Sequence, residues 1–177
     1  MAIVLGIDPG SRKTGFGIIE HQFGTHIKYV TSGVIRLEKL EHFPERLNQI
    51  FSSIQEIIEQ YSPDEAAIEE VFLGKNASSA LKLGQARGSA IVSCMQKRLP
   101  VSEYAAKKVK QAVVGNGNAT KDQVQHMMKA LLKLQGLPQE DAADALAIAM
   151  CHAHTQQNLL KMAGASHSRR GRLLTNR

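Results

Sequence analysis

Apolar residues run along the chain in two alternating rhythms. IVLGID (3–8) is apolar on both strand faces, as in a strand covered on both sides of a sheet, and Pro9-Gly10 stops it. TGFGIIE (14–20), HIKYV (26–30) and SGVIRL (32–37) read as further strands, joined by short connections into an antiparallel meander. Over 44–61 the period changes. Leu47, Ile50, Phe51, Ile54, Ile57, Ile58 and Tyr61 fall at three-four spacing, which predicts an amphipathic helix with Pro44 near its start and Pro63 past its end. EAAIEEVF (65–72) is a second buried strand, followed by a helix over 76–98. On that helix Ala80, Gly84 and Gly88 leave one stripe almost bare. Interior glycine costs about 1 kcal/mol against alanine, so a close helix–helix contact is expected there. VSEY (101–104) reads as a short strand, and 105–115 as a short helix closed by Gly115. Thr120 with Gln123 forms a capping box opening a helix on Val124, Met127, Met128, Leu131 and Leu132. The last helix begins in EDAADALAIAM (140–150). After Asp144 it is apolar on every side through Cys151, the pattern of a buried helix, yet its first turn holds Asp141 and Asp144. The order βββ-α-β-α-β-α-α-α, without an internal repeat, predicts an α/β fold: a mixed five-stranded sheet flanked by helices.

A chain of 177 residues with 43% hydrophobic content suits one compact domain with a real core. We place that domain at 1–155 and expect 156–177, polar and basic, to be a flexible tail. The longest apolar run, 145–151, is far short of the ~20 residues a membrane helix needs, so no membrane association is expected. MAIVLGIDPG has no basic leader or small-residue cleavage site, and two cysteines make no disulfide framework. A cytoplasmic protein with reduced thiols is the expectation. The net charge of +6 lies in the second half, with eight bases and two acids between Lys97 and Lys133. That asymmetry fits a polyanionic partner, nucleic acid being the commonest, or a solvated lysine-rich helix face.

The candidate chemistry is carboxylate chemistry. Asp8 sits at the carboxyl end of the first strand and Glu69 near the end of EAAIE. The helix between them makes a crossover that sets the two strands parallel and brings both acids to one sheet edge, where open α/β sheets place their sites. Asp141 and Asp144, three apart, share a face in the first turn of the last helix. Each acid also has an ordinary reading: Asp141 as a cap, Asp144 at the positive helix end, Asp8 as a turn residue. Glu69 resists one, because a carboxylate deep in an apolar strand needs a partner. Gathered together, the four would repel one another and rise in pKa, and a divalent cation would relieve them. An all-oxygen set favours Mg²⁺, with Mn²⁺ as the alternative, and two such ions about 4 Å apart suit in-line attack on a phosphodiester.

Several blocks carry a resemblance: GIDPGSRKTGFG, AIEEVF, NASSALKLGQARG, EYAAKKVKQAVVG and DAADALAIA, in that order over about residues 1–155. They resemble the RuvC family of Holliday-junction resolvases. The resemblance implies a ribonuclease-H-like fold and a homodimer. It also implies Mg²⁺-dependent cutting of two opposed strands of a four-way DNA junction, in recombination and repair, leaving 5′-phosphate and 3′-hydroxyl nicks. It assigns the metal-binding, catalytic carboxylates to Asp8, Glu69, Asp141 and Asp144. Phe72 resembles an aromatic that stacks on a base at the junction centre, though its residue type alone suits a core position equally. Lys110 and Lys121 match basic residues that touch DNA phosphates, with Lys107 and Lys108 as further nucleic-acid contacts. Helix 76–98 matches the dimer-interface helix, and a branch-migration helicase complex is the implied partner.

Two other functions are possible for such a sequence. A phosphotransferase of the actin and sugar-kinase type also begins Asp-x-Gly, but it closes two domains on ATP and needs a second such loop. A binding module that holds branched DNA without cutting it has no use for four repelling acids. GSRKTGFG has the glycine spacing of a P-loop without its Lys-Ser/Thr, and CHAH (151–154) is too small a set for zinc, so His126, His152 and His154 are expected to be structural.

Overall fold

The structure is a computed structural model that describes residues 1–22, 26–71, 76–163, 167–169 and 172–174. Three antiparallel strands, β1 (Ala2–Asp8), β2 (Lys13–His21) and β3 (Ile27–Arg36), open the chain. Helix α1 (Phe43–Tyr61) leads to β4 (Glu65–Glu69), and α2 (Ala77–Gln96) to β5 (Val101–Tyr104). The strands form one five-stranded sheet in the order β3-β2-β1-β4-β5, with β1, β4 and β5 parallel. Helices α3 (Ala106–Val114), α4 (Lys121–Leu131) and α5 (Glu140–Ala163) follow, and then a short hairpin of β6 (His167–Arg169) and β7 (Arg172–Leu174). The mixed five-stranded α/β architecture is the one the periodicity predicts.

HIKYV and SGVIRL merge into the single strand β3. Thr31, Ser32 and Gly33 look like a break in sequence, but the strand continues through a register shift opposite Ile18 and Ile19 that leaves Val30 unpaired. Helix α5 also runs beyond the expected boundary at 155, as far as Ala163, with Leu160 buried on it.

The sheet separates two cores. On one face α1 buries Ile50, Ile54, Ile57 and Ile58 against Leu5, Ile7, Ile18 and Ile68, each burial giving about 1.5–3 kcal/mol. Helix α2 packs on α1 through Ala86, Ala90 and Cys94. Its Ser89 and Ser93 hydroxyls donate to the Leu47 and Phe51 carbonyls at 2.7 and 2.9 Å. Among the described residues the opposite side of α2 is uncovered: none lies within 4 Å of a Cβ built on Gly84 or Gly88, and Leu81, Val92 and Met95 are exposed. The close helix contact expected from the glycine stripe is therefore not made among the described residues.

On the second face α5 lies across β1 and β2, walled by α3 and α4. The chain approaches the sheet so closely that a Cβ on Gly6 would stand 2.0 Å from the Ala145 carbonyl oxygen. One buried side chain of α5 is polar. His152 is fully buried, with Nδ1 2.9 Å from the Tyr104 hydroxyl and Nε2 2.6 Å from Glu65 Oε2, so its ring is satisfied and structural, as expected.

Candidate active site

Strand register sets the first two acids side by side. Ile7 pairs with Ile68 across the parallel β1–β4 ladder, and both point into the α1 core. Side chains alternate, so Asp8 and Glu69, one step further along, turn together to the α5 face. The Thr14 hydroxyl donates to the Gly10 carbonyl at 3.2 Å and accepts from the Gly10 N–H at 3.3 Å, closing the turn that follows Asp8. Arg87 of α2 donates from Nε to the Glu69 carbonyl at 3.0 Å and pairs with Glu103, which fixes the end of β4.

Asp8, Glu69 and Asp144 line one pocket of about 170 Å³ with Ala106, Val109, Lys110, Lys121 and Val124. Asp141 is not in the lining, but its charge acts on both Asp8 and Asp144. Burial holds Asp8 well above the usual carboxylate range, and Asp144, Glu69 and Asp141 push it further in the same direction. Glu69 is raised by burial and then by Asp144, with Lys110 and Lys121 opposing. Asp144 is raised by burial, against the pull of Lys121. Lys121 Nζ stands 3.6 Å from Asp144 Oδ2 and pairs with Glu140. Burial lowers the Lys121 pKa, but these carboxylates outweigh it and hold the ammonium above its usual value. Among the described residues no three His, Cys, Asp or Glu side chains close tightly enough to hold a metal ion in this arrangement. The acids share a pocket whose positive charge comes from lysine. Their donor chemistry, all oxygen, with Asp8, Glu69 and Asp144 raised by burial and then by neighbouring acids, fits a hard divalent cation.

The expected basic residues separate into two pairs. Lys110 lies on the helical face of Ala106 and Val109 that turns into the pocket. Lys107 is exposed, and Lys108 reaches over the Tyr104 ring at 4.8 Å and lines a different groove with Cys151 and His154. Neither reaches the carboxylates. Phe72 lies outside the described residues. The residues missed in sequence are Glu140, Arg87 and Thr14. Glu140 was visible as a third acid in the same helical turn, whereas Arg87 and Thr14 had no signal apart from the fold.

A strand-end carboxylate pocket on this mixed sheet, with basic residues at its rim, is the arrangement that a metal-dependent nuclease would need. The family model described as crossover junction endodeoxyribonuclease RuvC matches residues 4–152, and the chain belongs to that family. Crossover junction endodeoxyribonuclease RuvC of Saccharophagus degradans is 60% identical, covering 98% of this chain and 100% of its own length. The protein of that name from Photobacterium profundum is 62% identical over 97% of this chain. Among solved structures, Thermus thermophilus RuvC in complex with a Holliday junction substrate superposes with a TM-score of 0.82 at 31% identity, covering 89% of this chain and 96% of that one. The yeast mitochondrial Holliday junction resolvase Ydc2, at 13% identity and a TM-score of 0.60, shares the fold. The chain is an endodeoxyribonuclease of the RuvC family, an enzyme that hydrolyses phosphodiester bonds.

Proposed function

We propose that this endonuclease resolves four-way DNA junctions by paired symmetric nicks, with Asp8, Glu69, Asp141 and Asp144 as the residues that hold Mg²⁺, or Mn²⁺ in its place. The observation that carries this reading is the shared pocket of Asp8, Glu69 and Asp144 at the carboxyl ends of two adjacent parallel strands. The divalent ions would supply an activated water and charge stabilisation at the leaving oxygen. The protein's part is to fix oxygen ligands on rigid elements, two on strands and two on one helical turn. Lys110 and Lys121, at the rim, orient the scissile phosphate and offset charge on its oxygens. The product ends are a 5′-phosphate and a 3′-hydroxyl.

A four-way junction has twofold character and needs two like cuts, so the working unit is a homodimer with two equivalent pockets. Helix α2 supplies its seam: Leu81, Gly84, Gly88, Val92 and Met95 form an uncovered stripe of apolar and small residues. Phe72 would stack on an unpaired base at the junction centre, worth ~1–3 kcal/mol without sequence preference. Lys107 and Lys108, outside the pocket, would make looser, more solvated contacts with flanking phosphates. Family membership further implies delivery of the junction by a branch-migration helicase in the cytoplasm. No helix among the described residues is long and apolar enough to cross a membrane.

Incubating a synthetic four-way junction with the protein and Mg²⁺ tests this reading. Ligatable nicks on two opposed strands are expected, and D8N, E69Q, D141N and D144N should each bind the junction without cutting it. Loss of binding in all four variants would remove the metal-site assignment.

A further inference from the structure

A groove of about 1000 Å³ lies along the free side of β3, remote in structure from the carboxylate pocket. Through His21, Ile27 is in register with Ala2, so this part of β3 lies at the opposite end of β1 from Asp8. One wall is His26 with Ile27 to Tyr29 and Ser32 of β3, and the other runs from Leu131, the last residue of α4, through the connection to α5 as far as Pro138. Met150 and His154 of α5 complete the lining.

Three features describe what the groove would take. Its outer wall offers Leu131 and Leu137, which are 44% and 47% exposed, above a buried Met150. Among the described residues its charged lining is Lys28 and Lys133, with the imidazoles of His26 and His154 and no carboxylate, the acid Glu20 standing opposite Lys28 across the β2–β3 ladder. Finally, β3 is an edge strand, so one side of its backbone has no strand partner among the described residues. An open edge beside apolar pockets is the geometry in which an extended peptide adds as another strand, with alternate side chains seated in the groove. Leucine walls do not suit a phosphate backbone, and Tyr29 is the one aromatic in the lining, too little for a stacking platform.

We propose that this groove is a docking site for a partner protein, which binds through an extended segment alternating acidic and apolar residues along β3. The site lies on the α5 face of the sheet, whereas the uncovered stripe of α2 lies on the α1 side, so the two surfaces can be occupied together. It does not rest on the metal-site reading, since no residue of the carboxylate pocket lines it.

Lys133 offers a clean variant. Its backbone is left-handed, φ 52°, in a helix end where Leu134 N–H donates to the Lys129 carbonyl and Lys133 N–H to that of Ala130. Glycine is the easier residue there, so K133G removes the charge while relaxing the backbone. The experiment is fluorescence anisotropy of a labelled short peptide alternating aspartate and leucine, titrated with the full chain. A lysine–leucine peptide and a labelled DNA duplex serve as controls. Saturable binding of the acidic peptide but not of the lysine–leucine peptide is expected, undisplaced by the duplex and weakened about tenfold by K28E/K133E and by rising salt. K133G should also weaken it with melting temperature unchanged or higher, and junction binding and cleavage should stay at wild-type level in every variant. The proposal is overturned if the acidic peptide does not saturate, or if K28E/K133E binds it as wild type does. It is likewise overturned if duplex DNA displaces the peptide and charge reversal weakens junction binding instead, which would make the groove a nucleic-acid surface.

Discussion

A Cβ built on Gly15 would lie 1.9 Å from the backbone carbonyl oxygen of Asp141. Gly15 pairs with Asp8 across the β1–β2 ladder, so the first turn of α5 rests on the strand position opposite the acid it faces. The absence of a side chain at Gly15 is what lets the Asp141–Asp144 turn reach the sheet edge.

The substitution G15A should therefore cost both stability and activity. Overpacking at this contact costs about 1–3 kcal/mol. A displacement of the α5 turn by about 1 Å should cost on the order of a hundredfold in cleavage. Thermal melting and single-turnover cleavage of a junction, measured side by side, check this. Near-wild-type cleavage in G15A would show that the α5 turn is not held by this approach.

Asp8 should be a stability liability in divalent-free buffer. Its pKa is raised by burial and by the neighbouring acids, so between its unfolded and folded values the native state binds a proton that the unfolded chain has released. Stability thus falls as pH rises through that interval. D8N should melt about 2–4 °C above wild type at neutral pH, the shift of ~1 kcal/mol in a domain of this size. The gap should narrow on acidification and close below pH ~4, where the unfolded Asp8 is also protonated. Adding Mg²⁺ should raise the melting temperature of wild type and leave D8N unmoved. Calorimetry over a pH series reads all three effects.

Lysines that line the pocket should differ from those that do not. K110A and K121A should each weaken junction binding and lower the slope of log affinity against log salt by about 1. K108A should change the slope less, because Lys108 lies over the Tyr104 ring and away from the carboxylates. Equal slopes for all three variants would break the distinction.

Gly84 separates the fold of one chain from the association of two. With no described residue within 4 Å of its built Cβ, G84Q meets no obstacle among them and improves helix propensity by about 0.5–1 kcal/mol. Sedimentation should nonetheless show a folded monomer, and paired nicking should give way to occasional single nicks. A G84Q protein that remains dimeric would place the seam elsewhere.

Much of this was readable in the order of residues, and the gaps have physical causes. Period two and period three-four located the sheet strands and α1, and the capping box at Thr120 and Gln123 is formed as its spacing predicts. No glycine or proline interrupts the chain between Pro138 and Gly164, so α5 continues beyond the apolar run that ends at Cys151 and past the domain boundary drawn at 155. Spacing put Asp141 and Asp144 on one face, but only the docking of α5 decides that Asp144 lines the pocket and Asp141 stands beside it. Likewise Lys107, Lys108 and Lys110 are equivalent as letters. Burial of Val109 turns Lys110 inward and leaves Lys107 and Lys108 outside. The groove along β3 had no signature at all, because its two walls are a hundred residues apart in the chain and meet only through the sheet.

The most direct test of the carboxylate site is anomalous diffraction from crystals of the protein soaked in Mn²⁺. A peak within ligating distance of Asp8, Glu69 and Asp144, with Lys121 moved off Asp144, is the expected result. Crystals saturated with Mn²⁺ that show density elsewhere, or none between these side chains, would contradict it.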